Sequence, residues 1–105
     1  MVAQADGDIA GVAVILFRAN SRIARLYSIA VAPHYSGRGI ASALIAAAES
    51  AARARNGRVL RLEVHEKNHP AIKLYLKAGY HEFARHQHYY QDRGHALRFE
   101  KRLLP

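Results

Sequence analysis

The chain has 105 residues, half of them hydrophobic, which predicts one folded domain over residues 1–105 and excludes a disordered chain. It has no cysteine, which excludes disulfides, thiolate zinc sites and a cysteine nucleophile, and it has no apolar run of membrane-spanning length. The formal net charge of +8 predicts an anionic ligand, and because the basic residues are scattered as single positions, nucleic acid is the less favoured partner.

The N-terminal segment is predicted to form a β-hairpin. Its first residues, MVAQADGD, match neither a signal peptide nor a transit peptide, so the expected location is the cytoplasm. Asp6-Gly7-Asp8 is a turn signal, and the β-branched apolar run from Ile9 to Phe17 predicts a strand. Ala24 to Ala32 predicts the next strand, which Pro33 ends because proline lacks a backbone donor.

A glycine-rich turn follows over residues 36–41, with the sequence Ser-Gly-Arg-Gly-Ile-Ala. Glycine allows backbone angles that other residues avoid and a close approach of a ligand, while the start of the next helix offers unpaired N–H groups and a positive dipole end. This combination suits a phosphate. The turn lacks the Lys-Ser/Thr of a P-loop and the spacing of a dinucleotide fingerprint, and an ordinary strand-to-helix turn has the same local pattern.

The middle of the chain is predicted to form a strand–helix–strand unit. The alanine-rich helix ends at Asn56-Gly57 in a left-handed stop. Its apolar face is predicted to consist of Ile40, Leu44, Ala47, Ala48 and Ala51. Val59 to Val64 alternates apolar and charged residues, which predicts a half-covered strand. A unit of this length implies a parallel strand pair with a right-handed crossover, and hence the α/β fold class.

The last third of the chain is predicted to form a short helix and a two-stranded hairpin. Asn68-His69-Pro70 predicts the start of an amphipathic helix, and Gly79 closes it. The segments Tyr80 to Tyr90 and His95 to Leu103, around Asp92-Arg93-Gly94, predict an antiparallel hairpin.

Seven histidines raise the question of a metal site. His65 and His69 are four residues apart, but the loop predicted between them does not bring them onto one helix face. His86 and His88 are predicted on the same side of a strand, near Tyr89, Tyr90 and His95. We interpret these histidines as surface or acceptor-site side chains, and no metal is expected.

These motifs together resemble the GNAT superfamily of N-acetyltransferases. Residues 36–41 resemble its motif A, Arg/Gln-x-x-Gly-x-Gly/Ala, with Ser36 as the departure from the first position. Residues 62–80 resemble its second half, written Leu-x-Val, then Asn-x-x-Ala-Ile-x-Leu-Tyr, then Gly-Phe/Tyr. Leu-Glu-Val at 62–64 and the end Tyr-Tyr-x-Asp-x-x-x-Ala-Leu-Arg at 89–98 are most similar to the ribosomal-protein-alanine N-acetyltransferases, which acetylate protein N-termini.

The resemblance implies transfer of an acetyl group from acetyl-coenzyme A to a primary amine by direct attack in a ternary complex. The acceptor would be a small molecule or a protein N-terminus. The residues implied in cofactor binding are Ile29, Ala30, Val31, Ser36, Gly37, Arg38, Gly39, Ile40, Ala41, Ser42, Asn68 and Tyr75. In the family the oxyanion donor is a main-chain N–H, here expected near Val31, where two parallel strands splay apart. Asn68 is equally explained as an ordinary helix start.

Two side chains are implied in proton transfer. The resemblance makes Tyr75 the acid that protonates the departing thiolate, whereas its helical periodicity alone indicates a core tyrosine. The resemblance makes Glu63 the base for the amine. The alternative for Glu63 is a solvent-facing strand residue paired with Arg61 or Lys67.

The resemblance also has a gap, because the family normally begins with a strand and two helices ahead of the Ile9 to Phe17 strand. Without them a sheet that starts at this strand would have an open edge and an uncovered apolar face. We therefore expect a homodimer that packs across this face or exchanges the C-terminal hairpin, with His86, His88 and Tyr90 lining the partner's groove. Two alternatives stay open: a reading frame whose start lies upstream, and a regulatory acyl-coenzyme A-binding module without turnover.

Overall fold

The structure is a computed structural model that describes residues 1–103. Its strands are β1 (Val2–Ala5), β2 (Asp8–Phe17), β3 (Ile23–Val31), β4 (Val59–His65), β5 (His81–His86) and β6 (Ala96–Arg102). Its helices are α1 (Ile40–Ala54) and α2 (His69–Lys77), with one 3-10 turn at Pro33–Tyr35. The strands form one mixed sheet in the order β1-β2-β3-β4-β6-β5, which confirms the predicted α/β class.

The N-terminal hairpin is confirmed, and it includes a strand ahead of Ile9. β1 pairs antiparallel with β2, and Asp6 and Gly7 both have positive φ, at 52° and 82°, as a tight hairpin turn requires. In the described residues the sheet therefore has a strand, β1, ahead of the Ile9 to Phe17 strand.

Helix α1 connects β3 to β4, which pair in parallel as predicted. It lies directly against β2, because a side chain at Gly11 would come within 2.9 Å of Leu44. This packing determines which face of α1 is buried. The buried residues of the helix are Leu44, Ile45, Ala48, Glu49 and Ala52. The prediction was wrong for Ala47, which is exposed. The left-handed stop is confirmed, with Asn56 at φ 62°.

Both helices contribute to one buried cluster on a single face of the sheet. β4 alternates as predicted, and its residues Leu60, Leu62 and Val64 join Leu44 of α1 and Tyr75 of α2 in that cluster. No helix of residues 1–103 covers the opposite face, which we call the second face. Neither helix of the described chain is long and apolar enough to cross a membrane.

A buried polar cluster ties the end of α2 to α1 and β6. Glu49 is 7% exposed and accepts hydrogen bonds from the Tyr80 hydroxyl at 2.8 Å and from the Lys101 ammonium at 3.1 Å. Lys101 also donates to the carbonyl of Ala78 at 2.8 Å. Burial and the bond to Glu49 raise the pKa of Tyr80, so the hydroxyl keeps its proton in this cluster.

The C-terminal hairpin is confirmed, but its first strand is shorter than predicted. β6 lies between β4 and β5 and pairs antiparallel with both. β5 ends at His86, and His88 has a φ of 53° in the connecting segment. The prediction that His86 and His88 share one side of a strand was therefore wrong, because this left-handed residue has left the sheet.

Candidate active site

Strands β3 and β4 pair over only part of their length. Their register runs from Ile23 opposite Val59 to Leu26 opposite Leu62, and beyond this point β3 pairs only with β2 and β4 only with β6. Tyr27 is an extra residue in β3, where the register with β2 shifts. A bulge of this kind bends a strand. The two parallel strands therefore open into a V, as expected near Val31.

Backbone groups of β3 face this opening. The amide of Ala32 donates to the carbonyl of Ala10 in β2 at 2.8 Å. Because alternate residues of a strand present their backbone groups to opposite sides, the N–H groups of Ile29 and Val31 point away from β2 and into the V. The side chains of these two residues pack against the core, whereas Ala30 is exposed. A main-chain donor is thus available where one was expected.

The glycine-rich turn presents a row of free amides at the end of β3. Gly37 and Gly39 have positive φ, at 79° and 76°, and a Cβ at either would meet no atom within 4 Å. The N–H groups of residues 37–42 have no acceptor in the part of the chain that the structure describes. The positive end of the 15-residue helix α1 lies at the same place. Ser36 differs, because its N–H donates to the carbonyl of Pro33.

The side chain of Arg38 extends from this turn toward the first hairpin. Its guanidinium lies 3.3 Å from the carboxylate of Asp6 and 5.0 Å from the ring centre of Tyr35. The Tyr35 hydroxyl donates to Asp8 at 3.0 Å. The ion pair is exposed and hence weak, so Arg38 is free to turn to an anion bound at the amides.

Tyr75 is buried in the core, as its periodicity indicates, but its hydroxyl oxygen is not fully enclosed. Its ring packs edge-on against Tyr80 and Phe99, with centroids 5.9 and 6.4 Å away. The hydroxyl has no hydrogen-bond partner within residues 1–103. Every fully enclosed side-chain nitrogen or oxygen atom of these residues does have a partner. The Tyr75 oxygen is therefore accessible to solvent. Burial raises the pKa of Tyr75, which keeps it a proton donor.

Asn68 caps helix α2, so its structural interpretation is confirmed. Its side-chain oxygen accepts a hydrogen bond from the Ala71 amide at 3.3 Å, and Pro70 occupies the first turn. The side-chain NH₂ donates to no group of the described chain. The residue can thus cap the helix and still donate to a ligand.

Glu63 lies on the second face of the sheet and is largely covered, with 14% of its side chain exposed. One carboxylate oxygen is bonded to Arg25, and the other lies 3.9 Å from Arg98. The alternative that paired Glu63 with Arg61 or Lys67 is therefore wrong as to the partners. Arg61 pairs instead with Glu100 at 3.0 Å, because these two are directly opposite each other on β4 and β6.

The connection between β5 and β6 folds back over the end of β4. The ring of His65 stacks on Tyr90 with centroids 4.6 Å apart. Its Nδ1 accepts from the Lys67 amide at 3.0 Å, so its Nε2 carries the hydrogen that it donates to Asp92 at 2.9 Å. Burial and the neighbouring charge of Glu63 raise the pKa of Tyr90. These contacts place Tyr90 against His65, which follows Glu63 by two residues on β4.

The sequence interpretation missed three parts of this arrangement. It ended this strand at Val64, whereas His65 is the last residue of β4. It did not pair Arg25 or Arg98 with Glu63.

No group of three or more His, Cys, Asp or Glu that could hold a metal exists among the residues described.

Comparison with known proteins gives a consistent result. The model of the acetyltransferase (GNAT) family matches residues 1–80. "Putative ribosomal protein bS18-alanine N-acetyltransferase" of Bacillus subtilis (strain 168) is 33% identical over 94 residues, which are 90% of this chain and 61% of that protein. Streptothricin acetyltransferase of Streptomyces lavendulae is 40% identical over 76 residues, which are 72% of this chain and 40% of that protein.

A solved structure agrees with this match. Ard1 from Thermoplasma volcanium superposes with a TM-score of 0.86 at 33% identity, over 95% of this chain and 67% of that one. The chain spans 61% and 40% of the lengths of the two curated relatives above.

Proposed function

The chain belongs to the GNAT acetyltransferase family, and on this premise we propose that it transfers the acetyl group of acetyl-coenzyme A to a primary amine. The observation that carries the proposal is the row of free amides at residues 37–42, which lies at the end of β3 beside the V between β3 and β4. A diphosphate accepts hydrogen bonds from such a row and is stabilised by the helix dipole. The V then gives the acetyl-bearing arm a path between two strands.

In this proposal the backbone of β3 and the side chain of Asn68 hold the thioester. The amide of Val31 donates to the carbonyl oxygen and stabilises the negative charge that develops there during attack. Asn68 donates its free NH₂ to the amide-rich arm of acetyl-coenzyme A. Arg38, once released from Asp6, adds a positive charge at the diphosphate.

The reaction that we propose needs two proton transfers. The nitrogen lone pair of the acceptor attacks the thioester carbon, and the C–S bond breaks as the tetrahedral intermediate collapses. Tyr75 donates its hydroxyl proton to the leaving thiolate, a role supported by its accessible oxygen and raised pKa. Glu63 takes the proton that the amine nitrogen loses, directly or through a water molecule.

The ion pairs of Glu63 favour a second candidate, a module that binds acyl-coenzyme A without turnover. Both carboxylate oxygens face guanidinium groups, so Glu63 can act as a base only after Arg25 moves away. Incubation with acetyl-coenzyme A and assorted amines or peptides separates the two candidates, because only the enzyme releases free thiol.

Binding of acetyl-coenzyme A is the first expected result. A ligand at about a hundredfold its Kd adds roughly 2.7 kcal/mol to the free energy of unfolding, so the melting temperature should rise by several degrees. Differential scanning fluorimetry with millimolar acetyl-coenzyme A measures this rise, and acetate serves as the control. An unchanged melting temperature would rule out the proposed function.

We also propose that a second copy of the chain packs against the β1–β2 part of the second face, which leaves the Glu63 part of that face open. β1 and β2 expose a row of apolar side chains there: Val2, Val12 and Val14. β5 and β6 are already paired within the chain, and Tyr90 stacks on His65 of its own chain, so packing against this part of the face is favoured over hairpin exchange. Sedimentation should show a dimer at micromolar concentration, and Val12→Glu should dissociate it. An active monomer would contradict this proposal.

A further inference from the structure

A pocket of about 520 Å³ lies on the second face, next to Glu63. It is lined by four arginines together with Glu63: Arg18, Arg25, Arg61 and Arg98. The end of β2 adds an apolar side with Leu16 and Phe17. The pocket thus combines the proposed base with a cluster of positive charge drawn from the β2–β3 hairpin, β4 and β6.

The charges in this pocket do not balance. Arg25 and Arg98 share the single carboxylate of Glu63, and Arg61 pairs with Glu100. Arg18 has no carboxylate partner in the described part of the chain. Four guanidinium groups against two carboxylates leave two positive charges in excess. A concave site with such an excess attracts anions, and guanidinium binds carboxylate through paired hydrogen bonds.

Two of the arginines are held in place before any ligand binds. The guanidinium groups of Arg61 and Arg98 lie over the ring of Phe83, at 4.5 and 5.0 Å from its centre. Arg25 and Arg61 are directly opposite each other on β3 and β4, and like charges at such positions repel. An anion between them would remove this repulsion.

Arg25 is the arginine that a ligand can move. Its side chain is 46% exposed, and its contact with Glu63 is the only ion pair it makes in the described residues. A ligand carboxylate in the pocket would compete with Glu63 for this guanidinium. If Arg25 turns to the ligand, one oxygen of Glu63 becomes free at the rim of the pocket.

We propose that the acceptor amine carries a carboxylate that binds in this arginine pocket and draws Arg25 away from Glu63. The acceptor thereby frees the base that takes its own proton. The inference rests on the proposed function and adds the substrate class: an amine with an attached carboxylate, supplied by an acidic residue near a peptide N-terminus or by a small amino acid. A purely cationic diamine would be repelled by the same charges.

Two matched pairs of acceptors test this selectivity and distinguish the two sources. The peptide pair begins with Ala-Asp or Ala-Asn, and the small-molecule pair is β-alanine and its amide. In whichever pair matches the natural acceptor, kcat/KM measured by thiol release should be at least tenfold higher for the acid. In the β-alanine pair the amide has the less basic amine, so a larger fraction of it is unprotonated at neutral pH. Without the pocket, the amide would therefore be the faster acceptor.

Arg25→Gln tests the release of Glu63. This variant should raise KM for the acidic acceptor and raise kcat for the neutral one, because Glu63 no longer needs to be released. Glu63→Gln should lower kcat for both and remove the acidic limb of the pH–rate profile. Arg22→Gln, an exposed arginine outside the pocket, is the control and should leave all constants unchanged.

A binding measurement separates this inference from the proposed function. The ligand is the acetylated product of the preferred acceptor, either the acetylated Ala-Asp peptide or N-acetyl-β-alanine. It should bind at least tenfold more tightly than its amide counterpart. The difference should vanish in Arg25→Gln. Preference in binding without any thiol release would support the pocket and refute the enzyme. Equal binding and equal rates for acid and amide in both pairs would refute carboxylate binding in the arginine pocket. The proposed acetyltransferase activity would not be affected by this result.

Discussion

Replacing Gly39 by valine is expected to abolish the stabilisation by acetyl-coenzyme A. Gly39 has a φ of 76° as the residue that precedes α1, and a β-branched side chain is strongly disfavoured at this angle. No atom of the described chain lies within 4 Å of the new Cβ, so the side chain would extend into the space where the diphosphate is proposed to bind. The expected loss is the whole of the roughly 2.7 kcal/mol that saturating ligand provides.

Gly7→Val is the matched control for this change. Gly7 also has a positive φ, 82°, and its Cβ would likewise meet no atom within 4 Å. The backbone strain is therefore comparable, roughly 1–2 kcal/mol in each case, but Gly7 lies in the first hairpin turn. Fluorimetry with and without acetyl-coenzyme A should show the ligand shift kept in Gly7→Val and lost in Gly39→Val. If both variants kept the rise in melting temperature, the diphosphate would not bind at the loop that contains Gly39.

Tyr75→Phe is expected to lower kcat about a hundredfold, which corresponds to roughly 2.7 kcal/mol of transition-state stabilisation. The ring and its contacts with Tyr80 and Phe99 remain, and the lost hydroxyl has no hydrogen-bond partner within residues 1–103. Stability and affinity for acetyl-coenzyme A should therefore change little. Steady-state kinetics, isothermal calorimetry and thermal unfolding measure the three quantities separately.

Tyr80→Phe supplies the control for Tyr75→Phe. The Tyr80 hydroxyl donates to buried Glu49, so its removal should lower the free energy of unfolding by about 1 kcal/mol and leave kcat unchanged. If Tyr75→Phe instead lost stability and cofactor affinity to the same degree as kcat, Tyr75 would be only a core residue. Because burial raises the pKa of Tyr75, the alkaline fall of wild-type kcat should lie above the ordinary tyrosine range, since a proton donor fails as pH rises through its pKa.

Local chemistry determined the elements and much of the proposed cofactor side. The positive φ at Gly37, Gly39 and Asn56 and the cap at Asn68 depend on residues close to each other in the chain, and all lie where the sequence predicts a turn or cap. The parallel pairing of β3 and β4 follows from the length of their connection. The family resemblance, which the comparison confirms, rests on these same local motifs.

Only the tertiary structure decided which residues share a face and a pocket. The sequence shows its arginines as scattered single positions, but the insertion of β6 beside β4 places Arg98 opposite Glu63, and the register of β3 places Arg25 opposite Arg61. The buried side of α1 likewise depends on its contact with Gly11 in β2, which is why the prediction for Ala47 was wrong. Strand register and helix facing are set by partners distant in the chain, and a local pattern does not encode them.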